Sequence, residues 1–227
     1  CISLNSLLTL IISLIIENKI SFDFAWLVKL GFLYNRTNKN ICIFGTGGFG
    51  RETYCCLIDA MKAEGKDAAA STCFMVGDEH FTTSEVMGIQ VIRQSAFIPE
   101  NYDVVVAIGD PAARKKIVTS LPANTTYATI IHPNVVMSSW VQIGEGSIIT
   151  AGTILTCNIT IGKHAHLNLH TTIGHDCVIG DYFTTAPAAN ISGNCAFGDQ
   201  VYIGTNVAVK QGVNIPSDTT VGMGAVV

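Results

Sequence analysis

Counted by sixes from Ile143, an apolar side chain returns at Ile149, Leu155, Ile161, Leu167, Ile173 and Ile179, and again at Ile191, Ile203, Val209, Ile215, Val221 and Val227. Met137 and Ile131 hold the same phase upstream, and only Thr185 and Phe197 depart from an aliphatic. Four positions after the aliphatic a small or β-branched residue recurs, as at Ser147, Thr153, Ala165, Thr171, Cys177, Ala189, Cys195, Val201 and Val207. Glycine often follows the aliphatic directly, at Gly144, Gly162, Gly174, Gly180, Gly198, Gly204 and Gly222, where a tight turn or a positive φ is expected. An antiparallel sheet alternates with period two and is broken by hairpins, so an unbroken six-residue phase excludes it. The pattern predicts a parallel β-helix: hexads wound into a three-faced prism in which residues eighteen apart, such as Cys177 and Cys195, stack in the core.

Before residue 131 the pattern is different. "ICIFG" (41–45), "TCFMVGD" (72–78) and "YDVVVAIGD" (102–110) read as buried strands. "RETYCCLIDAMKAEG" has helical character up to Gly65, and "PAARKKIVTSL" (111–121) opens a helix with proline in its first turn. Strands alternating with helices predict a small α/β unit on a parallel sheet. The expected division is therefore 39–130 for the α/β unit, 131–227 for the prism and 1–38 for an extension. The stretch "SLLTLIISLII" (6–16) is interrupted by Glu17 and Lys19 and falls short of the roughly twenty apolar residues that span a bilayer. It has no basic segment before it, which argues against a secretory signal. An amphipathic segment lying on a membrane surface stays open. A start at Cys1 and a first methionine at Met61 suggest a fragment, and an end at Val227 inside the repeat suggests a shortened prism.

Composition narrows the partners. With 13% charged residues, formal net charge −4 and no basic run longer than "RKK" (114–116), the chain offers no footprint for nucleic acid. Eight cysteines in 227 residues, two of them the adjacent Cys55 and Cys56, fit a reducing cytoplasm better than a disulfide scaffold.

Candidate chemistry lies in two places. In "LHTTIGHDCVIGDY" (169–182), His175 and Asp176 occupy the third and fourth positions of a hexad, which places them at an outward corner of the prism. Imidazole accepts a proton near neutral pH, and an adjacent carboxylate fixes its tautomer and raises its basicity, which suits a general base. A solvated polar corner is the plainer reading. Gly45, Gly47 and Gly50 spell G-x-G-x-x-G between a strand and a helix, the context in which this motif binds dinucleotides or other phosphates at a helix N-terminus. A nicotinamide enzyme is one reading of it. The α/β segment is only about 90 residues, though, and a β-helix supplies no evident place for hydride chemistry.

Taken together, "IFGTGGFGRE" (43–52), "AIGDPAARKKI" (107–117), "IIHP" (130–133) and "GHDCVIGDY" (174–182) resemble the sugar acyltransferase family of sialic acid O-acetyltransferases and nucleotide-4-aminosugar N-acetyltransferases. The resemblance covers 39–227 and implies a Rossmann-like α/β domain followed by a left-handed β-helix that works as a homotrimer. It implies direct transfer of acetyl from acetyl-CoA to a sugar amine or hydroxyl, with no metal. His175 would match the base, Asp176 its acidic neighbour and Gly193 the oxyanion donor. Gly47, Gly48, Phe49, Asp78 and Gly109 would hold the nucleotide sugar, with Phe49 stacking on the base. Thr184, Thr205 and Met223 would hold acetyl-CoA. A UDP- or GDP-linked 4-amino-6-deoxysugar is the expected acceptor, with sialic acid O-acetylation as the alternative. Two readings from other classes remain. One is a zinc site like that of γ-class carbonic anhydrases, using His170 and His175 with a third ligand about two coils earlier, where His132 is near but out of phase and His164 and His166 lie on the coil of His170. The other is a non-catalytic β-helix scaffold.

Overall fold

The computed structural model describes residues 39–227, so the expectations for 1–38 lie outside the described residues. The chain enters through β1 (Asn40–Phe44), turns at the glycine loop into α1 (Gly48–Ala63) and continues into β2 (Thr72–Val76). There follow β3 (Glu85–Val86), β4 (Ile89–Arg93), β5 (Tyr102–Val106), α2 (Pro111–Ser120) and β6 (Thr126–Tyr127). The sheet order is β3-β4-β2-β1-β5-β6, antiparallel only between β3 and β4. Three of these strands, β3, β4 and β6, are not marked by an apolar run long enough to read from sequence. The other three are, because central parallel strands are covered on both faces, and Ile41, Ile43, Phe74, Val104 and Val105 are fully buried.

From Ile130 onward sixteen strands of two or three residues form three parallel sheets of six, five and five, each strand pairing with the one eighteen residues on. This is the left-handed parallel β-helix. Its core contains the hexad residues from Ile131 to Ile215. Both departures from the aliphatic phase have a structural account. Thr185 is fully buried, its hydroxyl hydrogen-bonded to Thr171 Oγ1 at 2.7 Å, and Phe197 packs on Phe183 with ring centroids 5.1 Å apart. Among the described residues no helix is long and apolar enough to cross a membrane.

The corner geometry corrects one expectation. None of the seven glycines after the aliphatics has positive φ. The left-handed conformation falls two positions later, at Asn158, His164, His170, Asp176, Tyr182, Ala188, Asn194, Gln200, Asn206 and Asp218, and in the same phase at Gly146, Gly152, Gly212 and Gly224. Asn, Asp and His tolerate that region better than other residues, so part of the reason for Asp176 is the turn itself. The glycines answer to a different constraint, the approach of one coil to the next. A β-carbon on Gly162 would lie 2.6 Å from the Gly180 carbonyl carbon.

The two units share a seam. On the six-stranded prism face the outward side chains of Ile130, Ile148, His166 and Thr184 are at most 1% exposed, while Val136, Ile154 and Val178 on the other two faces are exposed. Ile130 and Ile148 join the core formed by α1 and the α/β sheet, and Phe49 lies on His166 at 4.9 Å.

Candidate active site

At the corner between the two exposed prism faces, His175 and Asp176 are half exposed. Asn158, one coil earlier, donates to Asp176 Oδ1 at 2.6 Å, and His175 Nδ1 lies 2.7 Å from Asp176 Oδ2. The Asn158 bond, and then the His175 bond, hold the Asp176 carboxyl below its ordinary value. An ionised carboxylate only accepts, so Nδ1 carries the proton and donates it, and the Nε2 lone pair is left free. One coil later, Gly193 lies under the imidazole. A β-carbon there would come within 2.7 Å of both Cε1 and Nε2, so only glycine leaves room for the ring.

The backbone at this corner differs from that at the neighbouring corner above Tyr127. At the corresponding positions of the neighbouring corner, a side chain from the next coil accepts each main-chain N–H: Lys163 donates to Asp181, Asp181 to Asp199 and Asp199 to Ser217, at 2.7 to 3.0 Å. Gly193 has no side chain to do this for His175. Among the described residues nothing accepts from the Gly193 N–H either, so this donor caps no part of the fold. A base and an uncommitted N–H are the two groups that acyl transfer needs.

The second constellation is the glycine loop. Gly45 has φ 112°, and a β-carbon on Gly50 would lie 2.0 Å from the Gly45 carbonyl oxygen, so both glycines are required by the strand-to-helix turn. Nothing lies within 4 Å of where a β-carbon on Gly47 would stand, which leaves its backbone open to a ligand at the N-terminus of α1. Beside it, at the carboxyl ends of β1, β2 and β5, is a cleft of about 470 Å³. Phe44, Val76, Ile108 and Ile117 form its apolar walls, and Glu79, His80, Gln94 and Lys116 its polar ones. Because β1 sits between β2 and β5, this is the topological switch point where open α/β sheets bind ligands.

The remaining sequence expectations divide. Gly47 lines this cleft, and Gly48 lines a second of about 400 Å³ between α1 and the prism, with Arg51, Glu52, His132 and Leu169. Phe49 does not face the cleft: its half-buried ring is taken up by His166 in the seam. The Asp78 carboxylate accepts from Ser95 at 2.7 Å, and its neighbour Glu79 faces the cleft instead. Gly109 presents its carbonyl to Thr184 and Arg114, while the adjacent Ile108 lines the cleft. Thr205 and Met223 stack eighteen apart along one prism corner, joined by the Gly224 N–H on the Thr205 carbonyl at 2.8 Å. Thr184 is not on that corner. It sits on the covered face, 1% exposed, its hydroxyl accepting from Arg114 and donating its proton to the Gly109 carbonyl. Among the described residues no group of three metal-ligating side chains comes together. His164 and His166 are buried in the seam, and His132 bonds Asp59 at 3.1 Å.

A sheet with a phosphate-ready loop, fused to a hexapeptide prism that exposes a histidine over a glycine, defines the class of hexapeptide-repeat transferases. Residues 40–121 match the PglD N-terminal domain. The chain is 35% identical over 176 residues, 75% of its length and 78% of the relative's, to the GDP-perosamine N-acetyltransferase of Escherichia coli O157:H7. Among solved structures, WeeI from Acinetobacter baumannii AYE superposes with TM-score 0.76 at 32% identity, covering 84% of this chain and 92% of that one. PerB from Caulobacter crescentus, in complex with CoA and GDP-perosamine, gives TM-score 0.71 at 26% identity over 84% and 89%. The chain belongs to the hexapeptide-repeat sugar acyltransferase family.

Proposed function

We propose that the protein transfers acetyl from acetyl-CoA to the amino group of a nucleotide-linked 4-amino-6-deoxysugar, with GDP as the nucleotide. The N-acetyltransferase relatives, one described with GDP-perosamine and CoA, support the substrate pair. The observation that carries the chemistry is the His175 Nε2 lying over Gly193, whose N–H is otherwise uncommitted. The sugar amine attacks the thioester carbon, and Nε2 takes the proton that the nitrogen loses. The Gly193 N–H donates to the oxyanion of the tetrahedral intermediate. When the C–S bond breaks, the imidazolium returns its proton to the departing sulfur, leaving the amide and free CoA. Asp176 holds the ring and stabilises its charged form. Thr205 and Met223 offer a corner along which the coenzyme lies, and Gly47, Gly48 and the 470 Å³ cleft receive the nucleotide sugar. In this division of labour 39–130 is the nucleotide-sugar unit and 131–227 the transferase unit.

Topology supports a homotrimer. The α/β unit covers one prism face, and the His175 corner lies between the other two, on the far side from the chain's own cleft. A sugar seated in the cleft therefore reaches the His175 of a second subunit. The seven described cysteines are free thiols, which suits the cytoplasm.

The test is release of free thiol from acetyl-CoA with GDP- and UDP-linked 4-aminosugars and free sialic acid. Turnover is expected with the GDP-linked aminosugar; turnover with sialic acid alone would replace the N-acetylation reading. Mixing inactive His175→Ala and Gly47→Trp chains should restore activity if the site is shared between subunits, and persistent inactivity of mixed trimers would refute the sharing.

A further inference from the structure

Arg114 carries its charge in the seam with no carboxylate on it. The side chain is fully buried, yet every group around its Nη atoms is a neutral acceptor. Nη1 donates to the carbonyls of Ile108 at 2.7 Å and Gly109 at 3.3 Å and to His166 Nδ1 at 2.9 Å. Nη2 donates to the carbonyls of Tyr182 at 2.6 Å and Phe183 at 3.2 Å and to Thr184 Oγ1 at 2.8 Å. Burial pulls the guanidinium down to about 9 and, with Arg114 beside it, holds His166 well below its usual range, so His166 is neutral and accepts through Nδ1. An unpaired buried cation is expensive, and an apolar side chain of similar volume would fill the same space at lower cost. What such a replacement could not do is hold two separate backbone segments at once.

Those segments belong to different halves of the proposed site. Ile108 and Gly109 lie in the turn after β5, and Ile108 is a wall of the nucleotide cleft; Tyr182, Phe183 and Thr184 belong to a prism coil. The helix that carries Arg114 also lines the cleft, through Ala113, Lys116, Ile117 and Ser120, the i, i+3, i+4, i+7 stripe on one side of α2. Asp110 caps that helix by accepting from the Ala113 N–H at 2.7 Å. One side of α2 thus shapes the cleft, and Arg114, the residue after Ala113, fastens α2 and the β5 turn to the prism.

Resting on the function proposed above, we infer that Arg114 is a positioning residue for the nucleotide-sugar half of the reaction, setting the cleft wall in register with the prism coil 182–184. Acetyl-CoA, held by the prism corner, does not depend on it. Lysine keeps the charge but lacks the planar fork that serves both segments. Thr184→Val keeps shape and removes one acceptor of the fork together with its bond to Gly109.

The experiment compares wild type, Arg114→Lys and Thr184→Val, each shown folded by circular dichroism and gel filtration. It measures KM for the GDP-linked aminosugar, KM for acetyl-CoA and, by calorimetry, the affinity for GDP alone. The expected result is a rise of about tenfold or more in the aminosugar KM and GDP Kd for Arg114→Lys, a smaller rise for Thr184→Val, and an acetyl-CoA KM within about twofold of wild type. Aminosugar and GDP parameters equal to wild type would overturn the inference, as would equal changes for both substrates, which mark general loosening. If Arg114→Lys does not fold, Thr184→Val decides alone. A wild type that turns over no aminosugar would sink the function reading, while the GDP affinities would still judge Arg114.

Discussion

Two corners of the same prism carry the same turn in the same phase and treat a histidine in opposite ways. At one, His164 takes the left-handed position and is buried between Tyr127, 4.6 Å away edge-on, and Tyr182, stacked at 5.2 Å. The main-chain N–H groups there run into the ladder Asp181, Asp199, Ser217. At the other, His175 is half exposed, bonded to Asp176, and lies over a glycine that has no side chain to accept from its N–H. Burial pushes His164 down to about 4 and keeps it neutral. The comparison teaches that a polar side chain on the next coil closes a corner by accepting from its main-chain N–H, whereas the glycine on the coil after His175 leaves that corner open.

The strongest way to break the contrast is His175→Ala, expected to lower turnover by about 10²- to 10⁴-fold with acetyl-CoA affinity little changed, as for loss of a general base. Unaltered turnover would return the His175 corner to the status of its neighbour.

The second prediction concerns the closed corner and pH. An unfolded histidine titrates near 6.5 and folded His164 near 4, so the unfolded state binds the extra proton first as pH falls. The sign follows: stability is complete above about 6.5 and is lost progressively down to about 4, by up to about 3 kcal/mol for His164. Urea midpoints at pH 7.5 and pH 5 measure it, and His164→Gln should flatten the slope. A slope unchanged by that substitution would show that the buried histidine is not its source.

Third, Gly193→Asp would place a carboxylate where Asp181 and Asp199 stand on the other corner. It should displace the imidazole and cap the His175 N–H, lowering turnover at least about tenfold while leaving the unfolding midpoint the same or higher. A variant that kept full activity would remove Gly193 from the mechanism.

The smallest effect is expected of Asp199→Ala, which takes the acceptor from the Asp181 N–H at the closed corner. It should cost about 1 kcal/mol in denaturant unfolding and leave kcat unchanged. A fall in kcat instead would mean that the two corners are not independent.

Much of this was legible in the residues because a prism translates sequence period directly into place. The hexad phase gave the inward positions, and the third and fourth places of a hexad put His175 and Asp176 outside. The recurrence of Asn158, Asp176, Asn194, Asn206 and Asp218 in one phase was a signal for the left-handed column that glycine counting overlooked. Phe49 and Thr184 look like ligand contacts by motif, and in the fold both side chains are engaged in the seam. The burial of Arg114 is not legible in the sequence, where "RKK" looks like a solvated run of charge.

By itself, then, the sequence determined the coil register, the strand-to-helix turn that needs Gly45 and Gly50, and the histidine and carboxylate at an outward corner, since each follows from spacing along a few residues. Only the tertiary structure decided which of three similar faces the α/β sheet covers. With that came the burial of His164, His166, Arg114 and Thr184 and the placement of His175 opposite its own cleft. The physical reason is that a six-residue period separates inside from outside but repeats identically on every face, and the choice among faces rests on contacts between residues fifty to seventy positions apart, such as Arg114 with His166 and Thr184.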